Sequence, residues 1–410
     1  MDIIEIAKKI EKKNGRLYLV GGTIRDRLLR IDNFDEDYCV VGLSDNDFEE
    51  MFPNAKKYGK SFGVYGIDGK EFALARMEEK IDKGHKGFNI ILNKDISIEE
   101  DLRRRDVTIN SIAQDVLTGE IIDPFNGMKD IENKTIRATS EKFIEDPLRV
   151  YRVARLASKL NFEVDKDTIS LMNFLREELK TLSPERVFEE FRKVLNTDNP
   201  SKFFLILKEA NVLDVHFKEI YRLIGALQPL KYHPEGDSFN HTMMALENSV
   251  KLTKDEKLRF AALVHDLGKG TTPKEMYPHH YGHEERGYKE VKNLGERLRI
   301  PKTWIVIGQE ACLYHMKGGI FDRMTINKKV QFIEKVNDTK IGLEGLKIVV
   351  LCDRNRSENI DTSIVDFDII GKEMINTING KYILNKYREV KDTNFKDILH
   401  LERVEWLKNK

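Results

Sequence analysis

Apolar positions in the first third of the chain come in short runs. Arg16–Val20, Tyr38–Val41 and Glu71–Ala75 are rich in aliphatic and aromatic side chains and bounded by Gly or Asp, which predicts strands. MDIIEIAKKIEKK predicts a short amphipathic helix, charged too early to be a signal peptide. Thr23–Arg30 predicts a helix that starts directly after Gly21 and Gly22. Leu102–Ala113 carries a basic cluster into a helix or a strand–helix junction, and Thr118-Gly119 and Pro124–Gly127 mark turns. From about residue 145 the pattern turns helical. Asp146 can cap free N–H groups and Pro147 suits a first helical position. Helical patterns run to about residue 224, broken at Ser183-Pro184 and Asn199-Pro200. GALQPLKYHPEGD, residues 225–237, has the Gly, Pro and polar content of a linker. A histidine-rich helical region follows to about residue 357, and then a charged helical tail to which no chemistry is assigned. The fold class is α+β: a small mixed sheet with helices over 1–140, a helical body over 141–225, an all-α region over 226–360 and a tail over 361–410.

The chain has 410 residues, enough for two to four domains, and 40% are hydrophobic. Its 69 basic and 69 acidic residues cancel, which neither requires nor excludes a nucleic-acid partner, since clustering decides that. Cys39, Cys312 and Cys352 are far apart and form no C-x-x-C pair, which fits a reducing cytoplasm. No apolar run approaches the ~20 residues of a membrane span.

LVGGTIRDRLLRIDNFDEDYCVV, residues 19–41, combines a glycine turn with an acid pair. Gly21 and Gly22 permit close backbone approach to a bulky anion, and the following helix aims its N-terminal N–H groups back at the turn. Arg25, in the first turn, adds a charge-assisted contact. Glycines before a helix usually make an ordinary turn. Asp35 and Asp37 change the balance. At i and i+2 on a strand they share a face, where two carboxylates repel unless a cation lies between them. Mg2+ takes oxygen ligands and keeps positions open for phosphates, and two such ions can activate an attacking hydroxyl and stabilise departing pyrophosphate. A solvated acidic turn is the plain alternative.

In RRRDVTIN, Arg103–Asn110, three arginines would ordinarily form a solvated face. Asp106 is placed to orient one of them, which makes Arg105 a candidate triphosphate ligand. EDPLRVYRVARLASKL, residues 145–160, repeats arginine at 149, 152 and 155. That spacing drifts about 60° per step and keeps the three on one broad helix face. Asp146 accepts and Arg149 donates hydrogen bonds, a pair able to read the polar edge of a base.

In one order over residues 17–192, LVGGTIRD, the D-E-D pair, ALARMEEK, RRRDVTINSIA, IIDPFNG, EDPLRVYRVARLASKLNF and LSPERVFEEF resemble the class II CCA-adding tRNA nucleotidyltransferases. The resemblance implies a polymerase-β-like head and template-independent addition of CMP and AMP to tRNA from CTP and ATP. It places Mg2+ on Asp35 and Asp37, and the incoming nucleotide on Gly21, Gly22, Arg25, Arg105, Arg152 and Arg155. Asp146 and Arg149 match its E-D-x-x-R motif, in which side chains mimic a Watson–Crick edge and accept C or A. Glu71 is a further acid near the metals, with a plain strand-surface carboxylate as the alternative. Tyr38 stands where the family often has Trp, Leu or Phe, and Ser111 where alanine is common.

Seven of the ten histidines lie between residues 233 and 315. His241 is in FNHTMMALE, His265-Asp266 end the apolar FAALVHDLGKG, His283 is in PHHYGHEE, His315 ends CLYH, and Asp353 follows a further apolar run. A lone histidine is more often a core or surface residue than a ligand. Imidazole grouped with carboxylate suits a divalent transition metal whose bound water is nucleophilic near neutral pH. The H…HD…D series resembles the HD phosphohydrolases. That resemblance makes His241, His265, Asp266 and Asp353 metal ligands, and gives Lys269, His283 and His315 to phosphate or a second metal. Ni2+ or another transition metal is the implied ion. In the bacterial CCA-adding subgroup that carries it, this domain is associated with 2′,3′-cyclic phosphodiesterase, 2′-nucleotidase and phosphatase activity. The partners implied are tRNA, CTP and ATP, with no membrane, for a monomer or homodimer. The motifs leave open a CC-adding or A-adding enzyme, a poly(A) polymerase, and an HD phosphohydrolase whose head only binds RNA.

Overall fold

The computed structural model describes residues 2–32, 36–58, 63–80, 88–354, 361–362, 366–387 and 394–410, without the side chains of 78–80 and 88–92. The chain divides into two compact units, Met1–Val187 with Lys202–Val212, and Phe188–Ser201 with Leu213–Lys410.

The first unit is built on a mixed sheet. Its strands are β1 (Arg16–Val20), β2 (Asp37–Val41), β3 (Lys56–Tyr58), β4 (Val64–Ile67), β5 (Lys70–Leu74), β8 (Ala113–Asp115) and β9 (Ile121–Ile122), in the order β3-β4-β5-β2-β1-β8-β9. β6 (Arg76–Lys80) and β7 (Phe88–Leu92) form a separate antiparallel hairpin. β2 and β5 run parallel and the other sheet neighbours antiparallel. β1 and β2 are central, which is why their side chains are apolar on both faces. Tyr18, Val20 and Cys39 pack with Ile98 and Leu102 of α4 (Ile98–Arg103). Tyr38 stacks on Phe72, and Phe48 of α3 (Asp45–Met51) packs on Phe72 and Tyr65.

The predicted strands stand within a residue of their expected limits. The helix expected over Thr23–Arg30 is α2 (Gly22–Leu28), and α1 (Ile3–Glu11) is the amphipathic start, with Ile6, Ala7 and Ile10 buried. Leu102–Ala113 resolves into the end of α4, an irregular turn, a 3-10 turn at Thr108–Asn110 and β8. The Asp146-Pro147 helix start is displaced. A 3-10 turn covers Glu141–Glu145, and α6 (Arg149–Leu160) begins two residues after Pro147, with Asp146 accepting from the Leu148 N–H at 3.0 Å. The unit also contains α5 (Gly127–Glu132), α7 (Lys166–Phe174), α8 (Arg176–Leu179), the first turn of α9 (Pro184–Val194), and α10 (Ser201–Glu209).

The second unit is helical: α11 (Leu213–Tyr221), α12 (Ser238–Leu252), α13 (Glu256–Val264), α14 (His283–Arg297), α15 (Lys302–Gly319), α16 (Ile326–Asn337), α17 (Gly342–Arg354), α18 (Phe367–Thr377), α19 (Gly380–Lys386) and α20 (Phe395–Lys408). α13 is buried from Arg259 to Val264 and forms its centre. Val330, Ile333, Leu346, Val349 and Val350 make a core that takes in Phe367 and Met374, with Val404, Trp406 and Leu407 packed against it. The tail helices therefore complete this core. The segment 225–237, read as a linker, folds within the same unit: Leu227 bridges to Asp237, and Gln228 is buried. Its Gly and Pro content marks irregular backbone, in which buried Ala226 and Gln228 alternate with exposed Leu227, Leu230 and Tyr232. The three cysteines are free and buried. Among the described residues no helix is long and apolar enough to cross a membrane.

Candidate functional sites: a carboxylate edge and a histidine cluster

In the first unit the sheet register brings the predicted acids and glycines to one edge. Val20, the last residue of β1, pairs with Asp37, the first of β2, so the Gly21 turn leaves the sheet beside Asp37. On the other side Asp37 is in register with Glu71 of the parallel β5, and both are exposed. In-register residues of parallel strands share a face, so two carboxylates stand side by side there. Asp35 lies outside the described residues. Glu36 is differently employed. It accepts from the Tyr38 hydroxyl and from Arg27 Nη2, each at 2.8 Å, and from Lys70. The Lys70 hydrogen bond is the main reason its carboxyl titrates below the usual range. Tyr38, the departure from the family pattern, thus serves to pin the start of β2.

The turn itself needs glycine. Gly21 has φ of 76°, and a Cβ there would lie 3.0 Å from Arg105 Nη1, so the Arg105 guanidinium covers the turn. Arg105 is held by Asp101, not by Asp106 as the sequence led us to expect for one of the three arginines. Asp101 accepts from Arg105 Nη2 at 3.1 Å and from Arg104 Nη2 at 2.5 Å and Nε at 3.1 Å. Burial would raise the Asp101 carboxyl, but Arg104 and Arg105 outweigh it and lower it to about 2. The Arg105 Nε is buried without a hydrogen bond among the described residues, a donor left over beside the turn.

Asp106 instead accepts from Arg152 Nε at 2.8 Å and from Asn110 Nδ2 at 3.0 Å. Asn110 Oδ1 accepts from Arg25 Nη1 at 2.5 Å, and Arg25 Nε donates to Asp26 at 2.8 Å. Arg25 is buried beneath the turn. The chain Asp26–Arg25–Asn110–Asp106–Arg152 ties the glycine turn to α6. Arg149 is buried and donates to the carbonyls of Lys142 and Arg104, each at 2.5 Å. Asp146 faces Arg186 Nη2 at 3.4 Å, and Arg155 lies half-buried on α6. Asp101 and Asn110 escaped the sequence reading. The i, i+4 spacing of Asp101 and Arg105 was the available signal.

In the second unit His241, His265, Asp266 and Asp353 place ligand atoms within 4.8 Å of one another. They come from α12, the end of α13, and α17. His241 Nε2 is 3.0 Å from Asp353 Oδ1 and 3.5 Å from Asp266 Oδ2, and His265 Nε2 is 3.2 Å from Asp266 Oδ2. The other nitrogen of each ring is tied back. His241 Nδ1 faces Glu235 Oε1 at 2.8 Å, and His265 Nδ1 donates to the Ala262 carbonyl at 2.7 Å. That arrangement fixes the tautomer and turns the Nε2 lone pair inward, as a metal ligand requires. Among the described residues no hydrogen bond satisfies His241 Nε2, His265 Nε2 or Asp266 Oδ1, although all are buried, while Asp266 Oδ2 is met by the Lys269 ammonium. A divalent cation suits this donor set of two imidazoles and two carboxylates. Burial opposes charge on His265, yet Asp266 and Asp353 raise it to about 10, so the cluster calls for a positive charge.

Asp266 also faces a second group. His283 Nε2 and His315 Nε2 lie 3.3 and 3.4 Å from its Oδ1, and their Nδ1 atoms donate to the His280 carbonyl and to the Ala311 and Cys312 carbonyls. Lys269 Nζ is 2.5 Å from Asp266 Oδ2 and donates to Gln228. Glu235 and His233, which share a hydrogen bond at 3.0 Å, were missed because they lie in the segment read as a linker. A cavity of about 650 Å3 opens over the cluster, and exposed Tyr232 and Tyr281 stand among its walls.

Three family models match the chain: the Poly A polymerase head domain over residues 17–137, the "Probable RNA and SrmB- binding site of polymerase A" over 161–223, and the HD domain over 238–340. A Multifunctional CCA protein from Mannheimia succiniciproducens is 43% identical over 310 residues, 73% of each chain. Among solved structures, a CCA-adding enzyme with ATP matches with TM-score 0.66 at 19% identity, covering 99% of this chain and 90% of that one. A Bacillus stearothermophilus CCA-adding enzyme with CTP gives 0.61 at 19% identity over 98% and 90% of the two chains. A Thermotoga maritima CCA-adding enzyme with tRNA gives 0.64 at 19% identity over 99% and 90%. The fold is shared with these enzymes, and the chain belongs to the multifunctional CCA protein family, nucleotidyltransferases with an HD domain.

Proposed function

We propose that the first unit adds CMP and AMP from CTP and ATP to the 3′ end of tRNA without a template, releasing pyrophosphate. The observation that carries this reading is the convergence of Asp37, Glu71, the Gly21 turn and Arg105 at one sheet edge. The 43% identical relative and the solved CCA-adding enzymes with ATP, CTP and tRNA support it. Asp35 and Asp37 would hold Mg2+, with Glu71 beside them. When bound, Mg2+ neutralises triphosphate charge and lowers the barrier to attack by the 3′-hydroxyl. Gly21 and Gly22 let phosphate approach the backbone, and Arg105 meets it with a guanidinium already aimed by Asp101. Arg25 acts from beneath, stiffening the turn through Asn110. Arg152 and Arg155 lie on α6 with Arg149, whose engagement with two carbonyls fixes the loop that carries Arg105. Asp146 and Arg149 select C or A by hydrogen bonds to the base edge once Arg149 turns from those carbonyls.

The histidine cluster hydrolyses phosphate esters at RNA 3′ ends, as 2′,3′-cyclic phosphodiesterase, 2′-nucleotidase and phosphatase. His241, His265, Asp266 and Asp353 would hold a divalent transition metal, which when bound makes water a usable nucleophile near neutral pH. Asp266 presents its other oxygen to His283 and His315, so these two would take a second ion or the phosphate. Lys269 neutralises Asp266 and lies ready for a phosphoryl oxygen.

The test is incubation of the protein with Mg2+ and tRNA lacking CCA, with CTP, ATP or both, beside an Asp35→Ala/Asp37→Ala variant. Addition of C, C and A by the wild type alone is the expected result. Two cytidines only, one adenosine on a CC end, or a long A tail would replace it with a restricted relative. No addition would leave the HD phosphohydrolase with an RNA-binding head.

A further inference from the structure

We propose that a second cavity of the HD unit is a subsite for the phosphodiester backbone of an RNA strand whose 3′ end occupies the histidine cluster. The inference rests on the phosphohydrolase reading above. This cavity, about 550 Å3, lies between the end of α15 and α16, and its walls include Tyr314, Lys317, Ile320, Arg323, Lys328 and Lys335. Four cations line it, and among the described residues no carboxylate does. In a chain whose charges cancel as a whole, four like charges on one concavity repel one another until an anion fills it. Lys317, Arg323 and Lys328 have no ion pair or side-chain hydrogen bond among the described residues. Lys335 Nζ rests 5.7 Å from the centroid of the Tyr314 ring. The nearby acid on α16, Glu334, is engaged by His400 and Arg403 at 2.8 and 2.9 Å and so does not neutralise the patch.

The position of the cavity names the kind of anion. Ile320, half exposed, belongs to the walls of both this cavity and the one over the histidine cluster. The last turns of α15 divide them: His315 faces the cluster, while Tyr314 and Lys317 line the basic cavity. A mononucleotide has its phosphate at one point and can serve only one of these spaces. A ligand that fills both carries a reactive phosphate at one end and further phosphates along its length, which describes an oligonucleotide. Lysine and arginine at such a site bind backbone phosphate without reading sequence, and their contribution falls with salt.

The experiment compares two substrates of the metal-loaded full chain: 2′,3′-cyclic CMP, and a hexanucleotide RNA ending in a 2′,3′-cyclic phosphate. The hexanucleotide is too short to report on distant tRNA contacts. In a Lys328→Glu/Lys335→Glu variant, whose changes are on the surface of α16, kcat/KM for the hexanucleotide is expected to fall at least tenfold and lose salt dependence. Hydrolysis of cyclic CMP should stay within twofold. Equal losses on both substrates, or no loss on the RNA, would overturn the proposal. A hexanucleotide with 4-thiouridine three residues from its 3′ end supplies a readout independent of turnover. Photocrosslinks to peptides within 323–335 support the subsite, and their absence overturns it. If the wild type hydrolyses neither substrate, the phosphohydrolase reading falls, and the crosslink still decides whether RNA occupies this cavity.

Discussion

Asp101→Asn isolates the contribution of one buried carboxylate to the nucleotide site. Asp101 is 1% exposed and holds both Arg104 and Arg105. Burial works against its charge, and the two guanidinium groups carry it from 3.8 down to about 2. That lowering corresponds to about 2 kcal/mol of stability. Removing one partner of a buried pair costs up to ~3–5 kcal/mol, because the guanidinium groups lose their counter-charge, so about 2 kcal/mol is a lower figure. The folded value lies below the unfolded one. The stabilisation is therefore fully present above about pH 4 and is lost as pH falls toward 2, with about half remaining near pH 3. Urea unfolding of wild type and variant, followed by hydrogen exchange of β1, β2 and α4, measures the difference at pH 7, 5 and 3. A deficit of about 2 kcal/mol at pH 7 that shrinks by pH 3 is expected, together with a rise of roughly tenfold in KM for the nucleotide as Arg105 loses its aim. A variant as stable as wild type at pH 7, or a deficit unchanged at pH 3, would refute the electrostatic account.

Two further changes address the histidine cluster. Glu235→Gln removes the carboxylate that accepts from His241 Nδ1, and should weaken metal binding by roughly 10–100-fold in calorimetric titration of metal-free protein while the fold persists. Unchanged affinity would show that the negative charge of Glu235 does not strengthen His241 as a ligand. Gly268→Ala puts a Cβ 1.9 Å from the His283 carbonyl oxygen and 2.5 Å from the Gly287 nitrogen, both backbone atoms, so α14 must move and carry His283 away from Asp266. Phosphoesterase activity should drop at least tenfold with CCA addition retained, and a fully active variant would mean that α14 does not need this close approach.

The sequence displayed strands and chemistry where local pattern determines them. β1, β2 and β5 were legible because short apolar runs bounded by Gly and Asp have few alternatives. The candidate ligands His241, His265, Asp266 and Asp353 were legible through the spacing of a known family, and the structure gathers them within 4.8 Å of one another. What remained hidden depends on register and on burial. Glu71 was named only beside the resemblance, with a plain strand-surface carboxylate as the alternative, since nothing local says that it lies beside Asp37: parallel pairing of β2 with β5 is a crossover through α3, β3 and β4. Asp101 sits in the acidic run ISIEEDLRRR and reads as solvated, yet it faces inward beside Leu102 under the sheet. Glu235 was hidden by company of the opposite kind, since Gly, Pro and polar neighbours mark irregular backbone whether it is exposed or, as here, folded against a site.

The two sites differ in how each manages charge, and the difference bears on what each does. At the sheet edge Asp37 and Glu71 are exposed, in reach of water and of a phosphate chain, and the donors they offer are carboxylate oxygens. A hard ion that keeps its waters and exchanges them for phosphate oxygens suits that edge. The histidine cluster is buried, mixes nitrogen with oxygen, and fixes each imidazole from behind, which favours a transition ion that stays in place. An ion that stays can activate water repeatedly, as hydrolysis needs, whereas an ion shared with a nucleotide arrives and leaves with it. On the proposed reading the order of use follows from the RNA. A 3′ end closed by a cyclic phosphate has no free 3′-hydroxyl, so hydrolysis at the cluster must precede addition at the sheet edge. One chain carrying both sites can then return a damaged end to the state that its own polymerase unit accepts.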